Sequence, residues 1–214
     1  MAGWEDVTLT SADMRRWMEA FATAIASNRD YLTELDSAIG DADHGINMDR
    51  GFQAVREKIQ DAPDDIGALL RTVGMTLISK VGGASGPLYG TFFLDMAGPT
   101  AGQAEIPART WVEALGSGVD GVIRRGKAER GDKTMVDLWL PVLDSLRAGV
   151  ANGQDFTKTM TAATQVAETA MQETIPMVAR KGRASYLGER SAGHQDPGAT
   201  SSYLLVKAAA ETFT

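Results

Sequence analysis

Between Leu35 and Phe52 the chain reads LDSAIGDADHGINMDRGF, eighteen positions holding four aspartates, three glycines and one of only two histidines. Asp36, Asp41 and Asp43 are spaced five and two apart, and Gly40 and Gly45 let the main chain turn sharply among them. Two unit negative charges ~4 Å apart at an effective dielectric of ~20 repel by about 4 kcal/mol. Such a cluster either splays into water or encloses a cation. With no cysteine in the chain, oxygen donors suit a hard ion, magnesium or calcium, better than zinc. An EF-hand counted from Asp41 needs Asp or Asn fifth, Gly sixth and Glu twelfth. The chain has Gly45, Ile46 and Phe52 there, so that loop is excluded. Magnesium is usually held by one or two carboxylates and completed by waters and substrate phosphates, so three aspartates suit two ions sharing a polyphosphate. A solvated acidic turn has the same spacing and stays open. His44 follows the acids as a donor toward phosphate, as a base, or as an ordinary polar surface residue. The next residues re-enter a helix whose first amides, around Ile46 and Asn47, face an anion.

Two further segments are richer in glycine and polar residues than a packed helix needs. In VGGASGPLYG, 81–90, small residues precede a helix beginning near Pro87, and successive amides there make an anion-binding nest. Gly82, Gly86 and Gly90 also recur every fourth residue, which suits close helix packing equally well. In ARKGRASYLGERSAGHQDPGATS, 179–201, Arg180, Lys181, Arg183 and Arg190 either offset phosphate charge or form a solvated basic loop, before Asp196-Pro197-Gly198 turns into the last helix. GVIRRGKA, 121–128, imitates a Walker A loop but has Ala128 where Ser or Thr holds magnesium, and it follows a helical stripe rather than a strand, so it is rejected. No Ser-His-Asp arrangement is convincing, since His194 lies too close to the Asp196 turn.

The elements that must position these residues are helical. Met14, Trp17, Met18, Phe21 and Ile25 fall three and four apart across 11–28, with Thr10 and Asp13 as a capping box. A second stripe runs Ile66, Leu69, Leu70, Val73, Leu77, Val81, and a third Trp111, Leu115, Val119, Ile123. Further helical stretches are read at 48–60, 88–97, 134–149, 156–175 and 199–213, with connections at 97–108 and 148–155 and no supported strands. About eight helices in one domain, 1–214, predict an all-α antiparallel bundle or barrel. The net charge of −7 argues against nucleic acid, and the longest charge-free stretch, Val81–Leu94, is too short and too broken by Pro87 and glycines to span a membrane. MAGWEDV does not read as a secretory leader, and the lack of cysteine suits the cytoplasm. The residues by themselves predict a helical protein that binds magnesium and a phosphorylated ligand.

Four segments in order, GDADHGINMDRGF, GMTLISKVGGASGPLYGTFF, DGVIRRGKAERGDKTM and the 179–201 stretch, together resemble the nucleotide-binding L subunit of dihydroxyacetone kinase, of the kind that works with the bacterial phosphotransferase system. The resemblance implies an eight-helix barrel with ADP across its loop-bearing end. It implies that Asp36, Asp41 and Asp43 bind two Mg2+ ions bridging the ADP phosphates, and that His44, Gly45, Ile46 and Asn47 contact the nucleotide. By the same likeness Ala84 and Ser85 form the phosphate loop, Gly126 and Met135 flank the base, Arg183 touches the nucleotide, and Asp196, Pro197 and Gly198 form the closing turn. In such a system ADP stays bound, a phosphohistidine-carrying M subunit recharges it to ATP, and the γ-phosphoryl passes to dihydroxyacetone on a separate K subunit, which makes this chain a phosphotransferase active only with partners. Two alternatives stay open: an ATP-using subunit of a related short-ketose kinase, for erythrulose for example, and a nucleotide-sensing adaptor for a transcription regulator. The ketose, the phosphoryl donor and the oligomeric state, a homodimer included, are left open by the sequence.

Overall fold

The structure, a computed structural model, describes Gly3, Trp4 and residues 6–213; Met1, Ala2 and Glu5 of the stretch read for a leader lie outside the described residues. Among the described residues there are nine α-helices: α1 Ser11–Ser27, α2 Arg29–Ile39, α3 His44–Ile59, α4 Ile66–Lys80, α5 Ser85–Met96, α6 Ala108–Gly126, α7 Met135–Ala151, α8 Phe156–Glu173 and α9 Pro197–Phe213. A 3-10 segment covers Arg183–Ser191. Every stripe read from the sequence lies on one of these helices except for its last member in one case, Val81, which is the extended residue just past α4, and no described helix is long and apolar enough to cross a membrane.

Eight of the helices close into a ring. Each of α3 to α8 packs on the helix that follows it, and α1 joins α3 on one side to α9 on the other. The Trp17 indole N–H donates to Leu205 O (3.0 Å) across the α1–α9 seam. The connections alternate between ends. At one end the starts of α1 and α4 meet the α5–α6 connection, where Ser11 N donates to Ala104 O (2.8 Å) and Ile66 N to Gln103 O (2.8 Å). The α2–α3, α4–α5, α6–α7 and α8–α9 connections gather at the other end, around one cavity. Short connections at alternating ends make neighbours antiparallel.

Two elements were not expected. A two-stranded antiparallel pair joins β1 Thr8–Thr10 to β2 Glu105–Pro107, the second strand lying inside the 97–108 connection; three residues per strand are too few for alternation to register. The ninth helix, α2, lies outside the ring and packs on α3 and α9. Its buried face is Leu32, Asp36 and Ile39, at helical spacing but with an acid in the middle, which breaks the apolar stripe. Also, α7 runs on to Ala151, so 148–151 is helix rather than connection. The capping box forms as read, with the Thr10 side chain taking the Asp13 amide and the Asp13 carboxylate taking Thr10 N–H (2.7 Å).

Aromatic side chains fill the ring. Phe21 meets Phe52 at 4.6 Å between centroids, Phe92 meets Phe93 at 5.1 Å, and Trp17 meets Trp111 at 5.7 Å, all edge to face. A void of ≈ 10 Å³ beside Trp17, Trp111 and Trp139 is at most water-sized. The wall made by α4, α5 and α6 is tighter still. A Cβ at Gly74 would lie 2.7 Å from Gly90 O, and one at Gly118 would lie 2.9 Å from Phe92 O, so main chain there rests directly on main chain.

Gly74→Ala should therefore destabilise the protein by about 1–3 kcal/mol, because overpacking outweighs the ~1 kcal/mol that alanine adds to a helix interior. Urea unfolding of the two proteins measures the difference; a variant as stable as the parent would mean the helices separate freely.

Candidate nucleotide and metal site

The site begins with Asp36. It occupies the last turn of α2, is 8% exposed, and its Oδ2 accepts the main-chain N–H groups of Asp43 (2.9 Å) and His44 (3.2 Å). A helix leaves four amides unpaired at its start. Asp36 satisfies two of those belonging to α3, while Asn47 N donates to Asp43 O (2.8 Å), so the Gly45 and Ile46 amides of the first turn have no partner within the helix. Gly40 must be glycine, since a Cβ there would run into the Asp36 carboxylate. With the loop so fixed, one carboxylate oxygen from each of Asp36, Asp41 and Asp43 falls within 4.8 Å of the others. Arg183 reaches Asp41 (Nη2–Oδ2 3.0 Å) at an open, solvated position. Among the described residues no hydrogen bond or ion pair reaches the Asp43 carboxylate. The donor set fits a hard divalent ion: three carboxylates, no sulfur, and a repulsion that one exposed arginine only partly offsets.

The trio lines a cavity of ≈ 180 Å³ together with His44, Ala84, Ser85, Met135, Arg183 and the Asp196–Gly198 turn. An apolar slot of ≈ 240 Å³ adjoins it, walled by Pro87, Leu88, Val122, Gly126, Met135 and Val136. Only jointly do the two approach the ~300–1,000 Å³ of a small-molecule site. The helices α3, α5, α7 and α9 all begin at this cavity, so four positive dipole ends converge on it. One chamber thus offers acidic oxygens for a cation, helix starts for an anion, and beside them an apolar slot that suits a flat ring.

His44 stands in the cavity wall and is itself buried. Its Nδ1 is 2.9 Å from Ser85 Oγ and its Nε2 is 2.9 Å from Ser201 Oγ, which also meets the Tyr89 hydroxyl at 2.7 Å. Burial pushes the imidazole down to about 4, against a smaller upward pull from Asp36. The ring is therefore neutral at pH 7 with both nitrogens occupied, which ties α3 to α5 and α9 and leaves no room for the base role. Burial likewise raises the Tyr89 hydroxyl, against the two serines that bond it. Asp196 caps α9 by accepting Ala199 N–H (2.7 Å), and burial pushes it up to about 7, with the Ala199 amide and Lys133 pulling down and Asp137 and Asp36 adding repulsion.

Gly45, Ile46 and Asn47 are not among the residues that line the cavity. Gly45 faces α2, where a Cβ would strike Arg29 O; Ile46 is half exposed; and Asn47 turns to Arg50 (2.6 Å) and Gly82. Only their main chain faces the first turn. The glycine ambiguity resolves by position. Gly86 and Gly90 serve helix contact, while Gly83, at φ 64°, turns the chain beside Asp43. Sequence reasoning missed Lys133, Tyr89 and Ser201. Tyr89 and Ser201 come from segments far apart in the chain and Lys133 is an isolated cation, so no local pattern marks them.

Residues 38–211 match the family described as the DAK2 domain. The chain is 49% identical over 94% of its length, and 96% of the relative's, to the PEP-dependent dihydroxyacetone kinase ADP-binding subunit DhaL of Escherichia coli. It is 44% identical, over 92% and 94%, to the corresponding subunit 1 of Listeria innocua. Among solved structures it resembles the dihydroxyacetone kinase from C. freundii in complex with AMP-PNP and Mg2+, with a TM-score of 0.69 and 26% identity over 92% of this chain. That match spans about a third (33%) of the longer C. freundii chain.

The Asp196 shift has a sign that can be measured. The folded protein keeps a proton that the unfolded chain releases near its ordinary value of 3.8, so the associated stability is full below that pH and is lost as pH rises to about 7. His44 acts oppositely, contributing above 6.5 and failing as pH falls toward about 4. In protein stripped of metal, the stability of the parent relative to Asp196→Asn should fall between pH 4 and 7, read from urea midpoints. Parallel pH profiles for the two proteins would show the carboxyl ionised throughout.

Proposed function

The chain belongs to the DAK2 domain family, and from that premise we propose that it is the ADP-binding, phosphoryl-transferring subunit of a dihydroxyacetone kinase. The observation that carries this reading is the meeting of three carboxylates within 4.8 Å at a cavity where four helices begin. The near full-length likeness to the E. coli subunit supports it.

In this reading Asp36, Asp41 and Asp43 hold two Mg2+ ions. When bound there, Mg2+ would supply charge neutralisation at the phosphate oxygens, which is most of what phosphoryl transfer requires. The Gly45 and Ile46 amides and the start of α5 at Ala84 and Ser85 receive phosphate oxygens. The slot between Leu88, Gly126 and Met135 keeps water from the base. Arg183 adds positive charge over the same oxygens, and the Asp196–Gly198 turn closes another part of the cavity wall. The nucleophile is the ketose hydroxyl, held on a K subunit, so this chain needs none of its own. ADP remains bound and is recharged by a phosphohistidine-carrying partner of the phosphotransferase system. The name PEP-dependent carried by the E. coli and Listeria relatives supports that donor over free ATP. Such partners place the work in the cytoplasm.

Purified protein, once denatured, should release stoichiometric ADP together with magnesium. Asp41→Ala should lose the nucleotide while its helical circular dichroism stays that of the parent; a variant that retains ADP would overturn the role given to Asp41. Alone with ATP and dihydroxyacetone the chain should show no turnover, and adding the K subunit and the phosphoprotein should restore it. Steady phosphorylation by the isolated chain would falsify the division of labour.

A further inference from the structure

The α8–α9 connection leaves the ring at Thr174 and returns at Asp196, and within it residues 178–193 form an excursion whose ends meet. Gly193 N donates to Ile175 O (2.7 Å), Ala179 N to Ser191 Oγ (2.8 Å), and Ser191 Oγ to Gly188 O (2.6 Å). That is the form of an Ω-loop, compact and closed at its neck. Its apolar content is slight: Ala179, Ala184 and Leu187 pack with Ile39 of α2 in a cluster separate from the main core. Lys181, Gly182, Arg183 and Ala184 present this loop to the cavity, and its charged tie across the cavity is the exposed Arg183–Asp41 pair. The loop is therefore lightly attached to everything except its neck.

Lys133 lies under that neck. The residue is 1% exposed and adopts a left-handed φ of 60°, a conformation uncommon for a residue other than glycine. Its ammonium donates to main-chain oxygens on both limbs: Thr174 (2.7 Å) and Met177 (3.1 Å) on the outgoing side and His194 on the returning side, with Ile175 O at 3.4 Å. An ammonium has three protons, so this cage consumes all of them and leaves none for a ligand. A buried charge is tolerated only when it is so satisfied. Two residues beyond His194, the Asp196 main chain is fixed by the Thr174 hydroxyl (3.0 Å), so the closing turn is set by the same joint.

We propose that Lys133 is a positioning residue for the nucleotide: it pins the neck of the 178–193 loop, so that the loop opens from and closes over the cavity as one hinged lid that sets how long a bound nucleoside diphosphate stays. The ligand in this statement rests on the function proposed above; the pin does not. Hydrogen exchange on the parent protein freed of nucleotide should show amides of 179–192 exchanging as one group while α4 and α5 stay protected. Added ADP with magnesium should slow that group alone. Lys133→Met should release N-methylanthraniloyl-ADP about ten-fold faster than the parent, with faster exchange confined to 174–196. Lys133→Arg, which keeps the charge but spreads it over a planar fork, should fall between. An unchanged release rate, or protection lost evenly around the ring, overturns the proposal. If Lys133→Met does not fold, the parent decides: 179–192 exchanging piecemeal also overturns it. A parent that binds no adenine nucleotide refutes the proposed function instead, and its exchange pattern still tests the pin.

Discussion

Four helices begin at one cavity, and the rest of the architecture follows from that. In a closed ring with an even number of antiparallel members, every second helix starts at the same end, so α3, α5, α7 and α9 bring their unpaired amides together without any special loop chemistry. Each start carries roughly half a positive charge. A chamber of that kind attracts anions, and three aspartates within 4.8 Å at the same cavity also suit a partner that carries both signs at once. A polyphosphate with its counter-ions is such a partner, and a carboxylate cluster in a neutral setting is not.

Asp36 shows how structure and site share one group. Its Oδ2 closes the first turn of α3, a capping task normally given to the residue at the cap itself, while Asp43 at that cap position keeps its own carboxylate uncommitted. The loop thereby gains a fixed shape without spending the second acid. His44 does something similar one layer deeper. Held between two hydroxyls and kept neutral by burial, it joins three helix starts through the least charged route open to a histidine. Both residues look like site chemistry in the sequence, and both turn out to be framework as well.

Much of this was legible in the residues. The apolar stripes at Met14–Ile25, Ile66–Leu77 and Trp111–Ile123 fall on helices because three-and-four spacing reports one buried face, and the Asp36–Asp43 cluster stood out because crowded like charges repel. The failures have equally specific causes. The helix α2 was hidden because the middle of its buried face is Asp36, so the functional acid erased the pattern that would have revealed the element carrying it. The strands at Thr8–Thr10 and Glu105–Pro107 are too short to alternate. Lys133 could not be found at all, since a lysine whose partners are main-chain oxygens forty or more residues away leaves no trace in side-chain order. Position in a motif likewise does not report which residues line the cavity, and Gly45, Ile46 and Asn47 are not among them.

The glycines of α4 and α6 give the cavity two unlike sides. Where Gly74 meets the carbonyl of Gly90 and Gly118 meets that of Phe92, main chain rests on main chain with Leu94, Met96 and the Phe92 ring packed close beside it, so that wall has little room to yield. Across the chamber the 178–193 stretch leans on a few small side chains. If the 178–193 loop moves as proposed, whatever the cavity holds comes and goes on the loop's side, because the α4–α6 wall is the more tightly packed.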